Sequence, residues 1–225
     1  DDSFMKLVNP HYFDVIELSD ENPETLVIEN PHVFKDVLQA LILQSEVDVG
    51  EFVLSESDTK ILSLSKYTMV LTDIFNYDTY SKQLKTKLTN IIVSNYSEVD
   101  GKEKVIGDIN ELGVKIMNSL PYSVSFKSAI SFTDVVKFLD FSFDFSEYEF
   151  WDRFTEYIST AFELLNFKLL VTINLKDYVD HEEYVELMKF FQNKKIPLLM
   201  IERHQHEELD DISHVTIIDK DLCVL

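Results

Sequence analysis

Only four glycines and five prolines occur in the 225 residues. That scarcity excludes collagen-like, linker-rich and glycine-loop architectures. The single cysteine, Cys223, excludes an intramolecular disulfide and a cysteine-rich zinc site. No stretch approaches the roughly 18 uncharged apolar residues that mark a membrane-spanning helix. The best candidate, Phe162 to Leu175, is broken by Glu163, Asn166, Lys168 and Asn174. Basic residues are scarce too: 20 Lys and Arg stand against 41 Asp and Glu, a formal net charge of -21. Such a chain approaches DNA or an anionic membrane only if its few bases are gathered on one surface.

What is present is a globular composition, 45% hydrophobic and 27% charged. The length suits one compact domain or a domain carrying a sizeable insertion. Folding at this size buries roughly 70% of the unfolded surface, so no covalent staple is needed. Asp1-Asp2-Ser3-Phe4 precede Met5-Lys6, which reads as a natural start, and the first four residues are expected to be a cloning remnant. A reduced, cytoplasmic protein is expected.

Strand-like runs surround Val15-Ile16, Thr25 to Ile28, Phe52 to Leu54 and Thr68 to Leu71. Asn30-Pro31 opens a helix, with Asn at the cap, Pro at the first position and Val33, Phe34, Val37, Leu38, Leu41 and Ile42 at helical spacing. From Thr79 to about Asp140 the pattern is helical, marked by Leu84, Leu88, Ile91 and Ile92, then Val105, Ile109, Leu112 and Ile116, then Phe132 to Leu139. A helix over Phe150 to Asn166, a strand over Lys168 to Ile173, a helix over His181 to Gln192 and strands over Leu198 to Ile201 and Val215 to Ile218 follow, and this alternation argues for a parallel sheet with crossover helices. The expected fold is α/β: a mostly parallel sheet head over 5–78 and 141–225, with an inserted α-helical leg over 79–140. Between Thr79 and Lys137 lie eight bases and six acids, a net of +2, whereas the remainder is -23. That asymmetry makes Lys82, Lys85, Lys87, Lys115, Lys127 and Lys137 the candidate DNA-binding residues.

Enzymatic motifs are missing. Ile28-Glu29-Asn30-Pro31-His32 has no glycine, and Pro31 has no N–H with which to cradle a phosphate. Gly101, Gly107 and Gly113 fall inside helical sequence. Asn174 stands where a magnesium-holding acid would follow Leu169 to Ile173. His204-Gln205-His206-Glu207-Glu208, with Asp210 and Asp211, is the richest metal-ligand run, yet it reads as a solvated loop. Asp140, Asp144, Glu147 and Glu149 lack the ligand order of a calcium loop. Cys223 reads as a packed thiol and Trp151 as a core or interface anchor. No catalytic residue is assigned, and a non-enzyme is expected.

Leu26 to Phe34, Tyr67 to Asp78, Leu169 to Tyr178 and Leu198 to Glu202 stand in an order that resembles the Csn-two family, the adaptation proteins of bacterial type II-A CRISPR systems. The resemblance spans Met5 to Leu225. It implies a head like that of P-loop ATPases without the phosphate loop, and a homotetrameric ring whose basic inner surface holds double-stranded DNA; entry by the DNA ends is expected separately, because the strongly acidic remainder would repel a duplex from the side. It implies spacer acquisition in antiviral defence, alongside the integrase complex and the RNA-guided effector nuclease. It also implies calcium bound by acids just before the third leg helix. The matching stretch here, Tyr122 to Ser128, has no carboxylate and carries Lys127, so no cofactor requirement is expected and calcium stays an open alternative. Three other readings compete: a protein-protein adaptor with little DNA binding, an acidic DNA mimic, and a degenerate NTPase.

Overall fold

The computed structural model describes residues 4–56, 60–206, 209 and 212–225. In chain order the elements are β1 Met5–Asn9, β2 Phe13–Leu18, β3 Glu24–Ile28, α1 Pro31–Val47, β4 Val53–Glu56, β5 Lys60–Leu62, α2 Leu64–Tyr67 and β6 Thr68–Leu71. They continue as α3 Ser81–Asn95, α4 Lys102–Ser119, α5 Phe132–Leu139, α6 Phe150–Leu165, β7 Leu169–Ile173, α7 His181–Asn193, β8 Leu198–Glu202 and β9 His214–Ile218.

Every residue of β3, β7 and β8 is buried. A strand achieves that only when both faces of its sheet are covered, the usual state of parallel sheets. These strands are central in a five-stranded sheet of order β6-β7-β8-β3-β9, parallel at every pairing. Alternation along the strands sorts their side chains between two layers. Leu169, Val171, Ile173, Leu199 and Ile201 join one core with Val37 and Leu41 of α1 and with Leu7, Ile16 and Leu54. On the opposite side Met200 accepts a hydrogen bond at its sulfur from the Tyr184 hydroxyl of α7, at 3.7 Å. Emptying a site such as Leu199, fully buried, costs about 2–5 kcal/mol when Leu becomes Ala.

The strands β1, β2, β4 and β5 form a separate antiparallel sheet of order β2-β1-β4-β5. The sequence reading foresaw neither β5 nor this separation. Three residues, Lys60-Ile61-Leu62, are too short to show a period, and their pairing with Leu54 to Glu56 is a tertiary event. Where α1 meets β4, the buried Gln44 amide donates to the Phe52 carbonyl at 2.7 Å and accepts from the Phe52 N–H at 2.9 Å. A Cβ at Gly50 would overlap that Gln44 side chain, so glycine is required there by close approach.

The chain divides into two compact units, Asp1–Thr79 with Tyr148–Leu225, and Tyr80–Glu147. The expected leg ends at residue 140, whereas the helical unit extends to Glu147 and takes in the irregular residues 141–147. Among the described residues no helix is long and apolar enough to cross a membrane.

Candidate nucleic-acid interface

Within the helical unit α3 and α4 both pack against α5. Leu84, Leu88, Ile91 and Ile92 recur at helical spacing along α3, and Leu84 is its buried residue. Thr86 and Thr89 turn their hydroxyls back onto the carbonyls of Lys82 and Lys85, each at 2.9 Å. Lys82 and Lys85, three residues apart, share a helix face. Lys87 projects about 140° around the helix from Lys82.

The six candidate lysines fall into two groups. Lys82, Lys87 and Lys137 are exposed. Among the described residues none of the three has an ion-pair partner. Lys85, Lys115 and Lys127 are paired. Lys85 Nζ lies 2.6 Å from Asp140 Oδ1, and Lys115 pairs with Glu111 one turn earlier on α4. Lys127 Nζ lies 2.6 Å from Asp134 Oδ1.

Asp134 belongs to a capping box: its Oδ2 accepts from the Ser131 N–H at 2.9 Å, while the Ser131 hydroxyl accepts from the Asp134 N–H. The Lys127 hydrogen bond above all, then those from Ser131, hold this carboxyl well below the usual carboxylate range. Lys82 and Lys85 look unopposed along the chain, but in space Asp140 reaches Lys85.

With Asp140, Asp144 and Glu147 included, Tyr80–Glu147 carries eight lysines and nine acids, a net of -1, against -20 for the rest. The contrast in charge between the units persists, while the expected positive sign does not.

Helix α4 has no buried residue. Val105, Ile109, Leu112 and Ile116 form a stripe along it, between 39% and 57% exposed. At Gly113 the ring of Phe126 lies where a Cβ would be, which keeps the 120–131 segment close against the helix.

The position of a phosphate loop is filled by the protein itself. Between β3 and α1 stand two residues, and the Asn30 side chain accepts from the N–H groups of His32 at 3.0 Å and Val33 at 3.3 Å. Those are the donors a bound phosphate would need. Arg203 Nη1 donates to the Ile28 carbonyl at 3.1 Å and also to that of Glu29. Asn174, in the left-handed region with φ of 50°, accepts from the Arg203 N–H at 3.0 Å, so its side chain too is engaged. The turn after Ile28 and Asn174 both stand out in the sequence, but nothing there signals that Arg203 bonds to both.

Of the metal-ligand run, Glu207, Glu208, Asp210 and Asp211 lie outside the described residues. His204 is exposed, and His206 Nε2 lies 3.4 Å from Asp177 Oδ1 and 3.9 Å from the buried Glu202 Oε2. Burial pushes the Glu202 carboxyl up to about 8. Asp144 accepts from the N–H and hydroxyl of Ser146, at 2.9 and 2.6 Å, in a local turn. Cys223 is exposed rather than packed. Its N–H bonds to Asp219 Oδ1 at 2.8 Å, and its neighbour Val224 bridges Ile218. Trp151 stands edge-on to Phe154 at 5.6 Å, at the start of α6.

Two solved structures align over 96% of this chain and 87% of their own, each at 11% identity. One is a nucleotide-free ATP-binding cassette from an ABC transporter, with a TM-score of 0.43. The other is the ADP conformation of an ATP-binding cassette of an ABC transporter, with a TM-score of 0.46. At these scores nothing about binding or activity follows for this chain. No curated protein matches the sequence. The profile of the CRISPR-associated protein family Cas_Csn2 matches residues 44–222, from the last turn of α1 onward, leaving Leu26 to Phe34 outside the match. Covering most of the chain, that match makes this protein a member of the CRISPR-associated Cas_Csn2 family.

Proposed function

We propose that this chain is a non-enzymatic DNA-binding protein that self-associates into a homotetrameric ring. It threads onto the ends of double-stranded DNA and slides along it in CRISPR spacer acquisition, in the bacterial cytoplasm and without a required cofactor. Its partners there are the integrase complex and the RNA-guided effector nuclease. The observation that carries DNA binding is the exposed, unpaired state of Lys82, Lys87 and Lys137 on a near-neutral unit while the other unit is strongly acidic. Phosphate attraction follows the local field, so a duplex is drawn to these lysines and repelled elsewhere. The exposed stripe on α4 supports self-association, because an apolar row of that length favours a covering partner.

Backbone charge tolerates any sequence and permits sliding. An acidic exterior leaves the lumen of a ring as the attractive route and a free end as its entrance. The test compares a relaxed closed circle with the same molecule cut once, at equal salt and protein. Preference for the cut form, lost when bulky caps block both ends, is expected; equal affinity refutes threading. A second reading, an adaptor with little DNA binding, is favoured by the pairing of Lys85, Lys115 and Lys127 with acids. A mobility-shift titration showing no duplex binding even at low salt would select it.

A further inference from the structure

We infer that the α/β unit carries a docking cleft for a basic segment of a protein partner, with an arginine side chain seated among its aromatic rings. The cleft has a volume of 510 Å³ and is lined by Phe75, Phe150, Trp151 and Tyr178, with Glu149 and Asp152 among its walls. It lies at the carboxyl end of the parallel sheet. Phe75 follows β6, Tyr178 ends the 3₁₀ turn Leu175–Tyr178 after β7, and Glu149 to Asp152 open α6. Crevices at that end are where α/β sheets bind ligands.

Three features define the occupant. The rings are presented rather than packed away: Phe75 is 65% exposed and Tyr178 49%. They stand 5.3 Å apart at 87°, and Phe75 also lies 5.5 Å from Phe150. Such faces attract a guanidinium, which stacks flat on a ring and keeps its in-plane donors for carboxylates.

The second feature is charge. Glu149, Asp152 and Glu183 all line the cleft, and no Lys, Arg or His does. The first turns of α6 and α7 each bring roughly half a positive charge, which three carboxylates outweigh. An anion is therefore disfavoured where a cation is drawn in.

The third feature is rigidity. Asp73 Oδ1 accepts from the Phe75 N–H at 2.8 Å, and Asn174, which begins the turn carrying Tyr178, is tied to Arg203. Glu183 also accepts from the Asp180 N–H in the α7 capping box, so its position is set before any partner arrives. A preformed cleft spares the ordering cost of binding.

Trp151 is the single tryptophan of the chain, so its emission reports on the cleft directly. The experiment titrates the protein with acetyl-Gly-Arg-Gly-Arg-Gly-Arg-Gly-amide and with its citrulline counterpart, which keeps shape and loses charge. A saturable emission change is expected with the arginine peptide, and at least tenfold weaker binding with citrulline. Phe75→Ala and Tyr178→Ala, both at exposed positions, should each weaken binding about fivefold. Neutralising two acids of α1, Asp36→Asn with Glu46→Gln, should leave it within about twofold. Equal binding of the two peptides, no saturable change, or sensitivity to the α1 acids but not to the rings would overturn the inference. None of these outcomes depends on DNA binding, so the proposed function and the cleft stand or fall separately.

Discussion

The ammonium of Lys85 sits 2.6 Å from the carboxylate of Asp140, joining α3 to the C-cap of α5. Both side chains are substantially exposed, at 43% and 69%, so the pair contributes about 0–1 kcal/mol to stability. A phosphate can therefore compete with Asp140 for the lysine. Lys82→Glu with Lys85→Glu should weaken duplex binding on all sequences alike and lower the slope of log K against log salt by about 2. Asp140→Asn should raise affinity about two- to fivefold by freeing Lys85. Mobility shifts over a salt series measure both effects. Unchanged affinity in folded variants would place the interface elsewhere.

The purified protein should hydrolyse neither ATP nor DNA. Asn30 already takes the His32 and Val33 N–H groups, and Asn174 offers no carboxylate for magnesium. A phosphate-release assay should read no higher than a protein-free blank. Magnesium-dependent release that disappears in Asn174→Ala would contradict this.

Oligomeric state and DNA binding should be indifferent to calcium. In the first turn of α5 the Asp134 carboxylate is engaged by Lys127 and the Ser131 cap, and residues 122–128 ahead of the helix supply no acid. Hard cations need several oxygen ligands, best supplied by carboxylates. Light scattering with excess chelator provides the measurement; dissociation reversed specifically by calcium would be the opposite result.

Stability should fall as pH rises through neutrality, and Glu202 is the reason. Its ordinary value is 4.5, and burial raises it to about 8 in the folded protein. Between those values the folded state keeps a proton that the unfolded state has released, so raising the pH favours unfolding. The contribution is full below about 4.5, declines toward pH 8 and levels off beyond, on the order of several kcal/mol in all. Glu202→Gln keeps the acceptor for the Lys176 N–H, now 3.2 Å from Glu202 Oε1. It should flatten the dependence and stabilise the protein at pH 8. Urea midpoints at pH 5.5, 7 and 8.5 decide it, and parallel curves for the two proteins would refute the assignment.

The elements that folded as read are those with local causes. Asn30-Pro31 caps α1 because the cap side chain and the N–H groups that donate to it lie within three positions. The apolar runs of β7 and β8 announce buried parallel strands, since each of their positions is covered. The absence of a phosphate loop was equally legible, being a matter of residue type at one turn.

By itself, then, the sequence determined the α/β class, the helical run between the two halves of the sheet and the family likeness. Tertiary structure alone decided which charges meet. Lys85 and Asp140 are 55 positions apart, and no periodicity encodes their contact. The same holds for the burial of Glu202, which reads as an ordinary strand-end acid until β3 pairs beside it and the turn after β7 covers it. It holds for the aromatic cleft, whose rings come from three separate segments. Propensity, capping and patterning act over a few residues and are written locally. Electrostatic pairing and desolvation depend on distances that exist only once the chain has folded.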